Sequence, residues 1–264
     1  MAHRDQKQDM ILTVDVGNTQ IEVGIFEDQK LKKSWRMATG IDRTEDEYMV
    51  LIQHFLSLDG ISIRNVTGVA ISSVVPNITF IFEKMCNKYL GIMPIIVDHK
   101  LKLGIKIRYS DPSTVGADRI CNAVAAYQKF NNAVVIIDFG TATTFDIINS
   151  KAEYLGGIIA PGIETTAWAL YQRAAKLPKI SLEFPQHVIG KTTMESMQSG
   201  IMLGSVKMID GLVEEIIDEL GEKPNIISTG GLSRLIQPRT KYIESYYPHL
   251  VLEGLYKIYN LNKN

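Results

Sequence analysis

The stretch Ile11-Leu12-Thr13-Val14-Asp15-Val16-Gly17-Asn18-Thr19 decides the fold, because a short β-rich run delivers a carboxylate to a turn built from glycine and small polar residues. Apolar residues at Ile21, Val23 and Ile25 then recur at every second position up to Phe26, so the pattern predicts a second strand folded back as a β-hairpin. Asp15 is placed at a strand end, facing the turn. A phosphate chain needs backbone N–H donors at close approach, which Gly17 permits, and Asn18 and Thr19 add neutral side-chain donors. Asp15 beside them suits the Mg²⁺ that accompanies a nucleoside triphosphate. The same residues equally suit a plain hairpin turn in which Asp and Asn bond their own backbone.

The pattern returns in the second half. Ala133 to Ile137 is a run of five apolar residues leading into Asp138-Phe139-Gly140-Thr141-Ala142-Thr143-Thr144. At the end of a buried strand the Asp138 carboxylate needs a hydrogen-bond or cation partner to stay ionised. The threonines supply hydroxyls, or are simply β-formers of the next strand through Phe145, Ile147 and Ile148. Two copies of strand, Asp-x-Gly and Thr, one opening each half, predict an α/β protein of two similar lobes, residues 10–130 and 131–264, with a central nucleotide cleft between them.

Between these anchors the periodicity predicts a helix from Glu45 to Ser57, a strand from Gly68 to Ser72, a helix near Ile78 to Tyr89 and a short strand from Pro94 to Val97. A loop follows from Lys100 to Val115, then a helix with Asp118 in its first turn and Ile120, Val124 and Tyr127 on its inner face. Lys191 to Leu220 reads as one long helix with break points at Gly200 and Gly204. Asn225 to Ser228 is a strand ending at Thr229-Gly230-Gly231, where glycine lets a flat adenosine approach the backbone or simply turns the chain. Gly116-Ala117-Asp118-Arg119 sets a carboxylate and a guanidinium at a helix start. Asp118 there either orients and deprotonates a substrate hydroxyl or merely caps the helix, and Arg119 either grips a carboxylate through two hydrogen bonds or is a solvated neighbour.

Other classes of function are excluded by what is missing. Of 264 residues, 45% are hydrophobic and 22% charged, the profile of a packed globular protein, and the net charge of -1 supplies no field for nucleic acid or an anionic membrane. The start, MAHRDQKQDM, has no apolar stretch of a secretory signal and no run of about 18 apolar residues occurs, so a cytoplasmic protein with residues 1–9 as a loose extension is expected. Cys86 and Cys121 are too few for a disulfide framework and read as buried thiols. The five histidines, at 3, 54, 99, 187 and 249, show no zinc spacing and no nucleophilic-serine neighbourhood. Gly190-Lys191-Thr192-Thr193 lacks the earlier glycine of a phosphate-binding P-loop, and no GxGxxG fingerprint opens a helix. The tyrosines from Tyr242 to Tyr247 have no basic cluster around them, which favours packing over base stacking.

Taken in order, several motifs resemble type III pantothenate kinase, of the acetate kinase, sugar kinase, Hsp70 and actin superfamily. They are Asp15 to Thr19, Ile71-Ser72-Ser73-Val74-Val75-Pro76, Tyr109 with Gly116-Ala117-Asp118-Arg119, Asp138 to Asp146, Gly156-Gly157 through Pro161-Gly162, Ala175-Lys176-Leu177-Pro178, Met197-Gln198-Ser199-Gly200 and Thr229-Gly230-Gly231-Leu232. The resemblance implies two actin-like (ribonuclease H-like) lobes and phosphorylation of pantothenate by ATP, the first step of coenzyme A synthesis. It implies that Asp15, Gly17, Asn18 and Thr19 hold ATP phosphates and Mg²⁺, that Thr141 touches ATP, and that Asp138 binds a monovalent cation, K⁺ or NH₄⁺. Asp118 becomes the base, and Tyr109, Gly116, Ala117, Asp118, Arg119 and Thr193 the pantothenate site. A homodimer is implied as well. The chain departs from the family pattern at Asp98-His99, where Gly-Pro is common, at Leu103, where threonine is frequent, and at Thr165-Thr166-Ala167-Trp168, where smaller residues are usual. Alternatives are a transcription-linked regulatory relative without kinase activity, which would not need Asp15, Asp118, Arg119 and Asp138 together, and a sugar or acetate kinase of the same superfamily.

Overall fold

A computed structural model describes residues 9–263. The expectation of a loose N-terminal extension falls, apart from residue 9, outside that range. Among the described residues no helix is long and apolar enough to cross a membrane. The described residues form two compact units, one of residues 9–126 with 249–263, the other of residues 127–248.

The first unit opens with strands β1 (Met10–Val16), β2 (Gln20–Glu27) and β3 (Lys30–Ala38), continues through helix α1 (Glu45–Leu58), strand β4 (Val66–Ser73), helix α2 (Pro76–Met85) and the two-residue strands β5 (Ile95–Ile96) and β6 (Lys106–Ile107), and reaches helix α3 (Ala117–Phe130). Its sheet has the order β3-β2-β1-β4-β5. β1, β2 and β3 run antiparallel as consecutive hairpins, whereas β4 lies parallel to β1 and β5 parallel to β4. One face carries Leu12, Val14, Val16, Val23 and Ile71 against Tyr48, Ile52 and Leu56 of α1 and Ile78, Phe82 and Met85 of α2, a single apolar cluster. Alternation along β1 turns Thr13 and Asp15 to the other face.

That second face is covered from far along the chain. Helix α8 (Leu250–Asn262) returns from the second unit and packs on β1, β2 and β4. The fit depends on small residues in the sheet: a Cβ on Gly24 would strike Leu252, and one on Gly68 would overlap Tyr259. Phe26 stacks on Tyr256 with ring centroids 4.6 Å apart. Where α8 crosses α3, Gly254 sits on the backbone of Cys121 so closely that no side chain fits. Residues 249–264, grouped with the second half by linear reading, thus belong to the first unit.

The second unit has strands β7 (Val134–Phe139), β8 (Ala142–Ile148) and β9 (Glu153–Pro161), helix α4 (Ile163–Arg173), helices α5 (Thr193–Gln198) and α6 (Gly204–Leu220), strand β10 (Asn225–Gly230), the short helix α7 (Ser233–Ile236) and strand β11 (Ser245–Tyr246). Its strands repeat the plan of the first sheet: β9, β8 and β7 antiparallel, then β10 and β11 parallel. Ala133 to Ile137 are all fully buried, as a strand covered on both faces requires. The expected long helix from Lys191 bends where its glycines stand, through a π-helical turn at Ser199–Leu203 between α5 and α6. Tyr242 packs on the core of this unit and Tyr247 meets Phe130 edge-on, so the C-terminal tyrosines are packing residues.

Candidate active site

In the first unit the residues of interest gather at one end of β1. Asp15 is the penultimate residue of that strand, paired in register with Glu22 of β2 and Ser72 of β4. Gly17 closes the turn through its N–H to the Gln20 carbonyl at 3.0 Å, leaving Asn18 and Thr19 exposed. Thr39, just past β3, fixes the turn from outside: its hydroxyl donates to the Gly17 carbonyl at 2.7 Å and its N–H to the Thr19 carbonyl at 3.0 Å. Both turn carbonyls are therefore occupied, and the backbone shape is held by a residue that motif reading did not single out.

Helix α3 brings Asp118 to the same neighbourhood. Gly116 precedes the helix, where an added Cβ would strike Asp118 Oδ1. That oxygen accepts the Arg119 N–H at 2.8 Å. Asp118 is the second residue of α3 and does not occupy its N-cap. Its charge complements the positive helix start. One turn on, Cys121 is fully buried beneath it. Burial first, then the Asp15 and Asp118 carboxylates, hold the Cys121 thiol well above its ordinary range, with the Ser72 hydroxyl acting the other way. Two carboxylates proposed for different roles are thus near enough to act on one thiol. Tyr109 is exposed in the loop ahead of α3, and Arg119 is half-buried on the helix.

The second unit carries a parallel arrangement. Asp138 is the penultimate residue of β7, in register with Thr144 of β8 and Thr229 of β10. Gly230 has φ +89°, a conformation that favours glycine, and a Cβ there would strike Asp138 Oδ1 and the Phe139 carbonyl. The β7–β8 turn is closed by the Gly140 N–H on the Ala142 carbonyl at 3.1 Å. The Thr141 carbonyl at its tip accepts from the Gly162 N–H at 3.2 Å and the Thr165 hydroxyl at 2.7 Å, so the start of α4 holds this turn. Gly162 is required there, since a side chain would run into the Thr141 and Gly140 carbonyls. Within the stretch 165–168, Thr165 thus contacts the turn itself, while Trp168, the bulky residue that departs from the family pattern, points outward, 63% exposed.

Thr193 is the first residue of α5, exposed. Its neighbours form a capping box in which Thr192 Oγ1 accepts the Glu195 N–H at 3.2 Å and Glu195 Oε2 accepts the N–H groups of Lys191 and Thr192. The Gly-Lys-Thr-Thr sequence is accordingly a helix start and no P-loop.

A family model described as type III pantothenate kinase matches residues 11–215, which is more than half of the chain. Among solved structures, a Campylobacter jejuni protein described as a conserved Baf family transcriptional activator is 20% identical, with a TM-score of 0.57 over 95% of this chain and 98% of that one. A Sinorhizobium meliloti protein described as a 2-dehydro-3-deoxygalactonokinase is 11% identical, with a TM-score of 0.54 over 96% and 97%. The (R)-2-hydroxyglutaryl-CoA dehydratase component A of Acidaminococcus fermentans is 12% identical, with a TM-score of 0.50 over 94% and 95%. These likenesses establish the actin-like α/β fold with its two sheets.

Proposed function

As the chain belongs to the type III pantothenate kinase family of phosphotransferases, we propose that it transfers the γ-phosphoryl group of ATP to the primary hydroxyl of pantothenate, giving 4′-phosphopantothenate and ADP. The observation that carries this reading is the family match over residues 11–215, and the placement of Asp15 at the end of β1 and of Asp118 at the start of α3 in the same unit supports it.

In the proposed reaction Asp118 accepts the hydroxyl proton as the substrate oxygen forms its bond to the γ-phosphorus and the bond to the β–γ bridging oxygen breaks. Asn18 and Thr19 offer N–H and hydroxyl donors to the phosphates, Gly17, whose own N–H closes the turn on the Gln20 carbonyl, lets the phosphates approach the backbone, and the Thr39 contacts keep that backbone in shape. Tyr109, Gly116, Ala117, Arg119 and Thr193 are assigned to pantothenate, with Arg119 on its carboxylate. Thr141 is assigned to ATP.

Two ions fit residues of the chain. Asp15, a hard oxygen donor at an open strand end, suits the Mg²⁺ of the nucleotide, which would neutralise phosphate charge. Asp138 suits K⁺ or NH₄⁺, because Gly230 leaves free of any side chain the space beside Asp138 Oδ1 and the Phe139 carbonyl. A homodimer is proposed on the exposed apolar residues Ile159, Trp168 and Ile189. The test of the reading is a coupled assay of ADP release, run with pantothenate and with a panel of sugars and acetate as acceptors, with and without K⁺. Release that requires pantothenate supports the proposal. No release with any acceptor would favour a regulatory role for this chain.

A further inference from the structure

The face of the first sheet that presents Asp15 carries a line of charge across three strands. Asp15 of β1 is in register with Glu22 of β2, and Glu22 with Arg36 of β3. Directly paired residues point to the same face, and like charges so placed oppose one another. Both Glu22 oxygens have partners: Oε2 meets the Arg36 guanidinium at Nη2, 3.3 Å away, and Oε1 lies 2.8 Å from His249 Nδ1. His249 is the residue at which the chain re-enters the first unit and the N-cap position of α8. Glu22 is 18% exposed at its side chain, against 48% for Arg36, so the carboxylate is partly withdrawn from water while its arginine partner is not.

Glu22 joins β3 to the start of α8, and it also sets a second carboxylate opposite the proposed metal-side aspartate on a face whose remaining neighbours, Thr13, Gly24 and Phe26, are uncharged. We propose that Glu22 is a positioning residue for the cation held by Asp15, raising the negative potential at Asp15, with Arg36 as its opposing counterweight. This rests on the assignment of Asp15 to the Mg²⁺ of the nucleotide. The design separates two states of the site. With the divalent cation present, the extra negative charge favours binding; without it, the same charge repels the bare phosphates. Glu22 thereby makes nucleotide binding conditional on the metal.

The sign of the effect distinguishes this from a structural role. Replacing Glu22 by Gln removes negative charge, whereas replacing the exposed Arg36 by Gln leaves Glu22 less compensated. Calorimetric titration of the full chain with ADP, in the presence and absence of Mg²⁺, reads the ratio of the two affinities. Glu22→Gln should shrink that ratio about three- to ten-fold and Arg36→Gln should enlarge it by a smaller factor, as charges a few ångströms apart near a surface act on one another. Shifts in the same direction for both variants, or no shift in either, would overturn the role of Glu22 while leaving the Asp15 assignment standing. A wild-type ratio of one would overturn the assignment and the inference together. Should Glu22→Gln fail to fold, Arg36→Gln alone decides, because loss of a merely structural ion pair cannot strengthen metal dependence.

Discussion

Asp15 and Asp138 hold the same place in their respective sheets. Each is the penultimate residue of the opening strand, and each faces a hydroxyl residue on the parallel neighbour, Ser72 beside Asp15 and Thr229 beside Asp138. The surroundings then diverge. Asp15 is flanked by Glu22 and overlooks a three-residue turn, whereas Asp138 meets Thr144 and the glycine backbone at Gly230. Equivalent strands thus offer one strongly anionic position and one lined by hydroxyls and carbonyls, which matches a divalent and a monovalent cation respectively.

That divergence predicts separable losses. Asp138→Asn should abolish stimulation by K⁺ while Mg²⁺ dependence persists, measured as initial rate against KCl concentration. Gly230→Ala should do the same through collision with Asp138 Oδ1, and should also lower stability by about 1–3 kcal/mol from its strained backbone. Retention of full K⁺ stimulation in both variants would remove Asp138 from the cation site.

Asp118→Asn keeps size and the contact to the Arg119 N–H while removing the proposed proton acceptor. The turnover number should fall by about a hundredfold or more with the thermal transition unchanged. Wild-type turnover in this variant would refute the assigned base.

Thr39→Val deletes the hydroxyl that closes on the Gly17 carbonyl. Stability should drop by about 1 kcal/mol, the usual worth of one such hydrogen bond. KM for ATP should rise several-fold with little change in kcat, since in the proposed reaction the turn binds phosphate and transfers no proton.

The buried thiols make stability depend on alkaline pH. Burial pushes the Cys86 thiol up to about 12 from an ordinary 9.0, and Cys121 is also raised. The unfolded chain releases these protons first, so stability is full below about pH 9 and declines as pH rises towards 12, by about 1.4 kcal/mol per unit for each thiol. Urea unfolding at pH 8 and pH 10 should show this decline, and Cys86→Ala should reduce it by about half. In the folded protein neither thiol should react with a disulfide reagent at pH 8.

What could be read along the chain was local. The β1–β2 hairpin, helices α1 and α3, the buried strand β7 and the interruption near Gly200 all announce themselves through periodicity and punctuation within a few residues. Strand β3 did not, because Lys30, Lys32 and Lys33 blunt an exposed edge and read as a charge run. Thr39 could not be recognised as the brace of the phosphate turn, since its partner lies 22 positions away and its own neighbourhood is an ordinary loop. At Gly230 the sequence leaves open an approach for a flat adenosine or a plain turn, whereas its positive φ and its contact with Asp138 are tertiary facts. The charge line Asp15–Glu22–Arg36 exists only once strand register is known, because register decides which side chains share a face.

The return of α8 to the first sheet makes the second unit an insertion within the first. During synthesis the sheet bearing Asp15 emerges early yet lacks its covering helix until residues 250–262 have left the ribosome, whereas residues 127–248 can complete their own core beforehand. A chain cut short before Leu250 would expose Phe26, Gly24 and Gly68 as a bare sheet surface, and such a truncation should send the nascent polypeptide to aggregation or proteolysis.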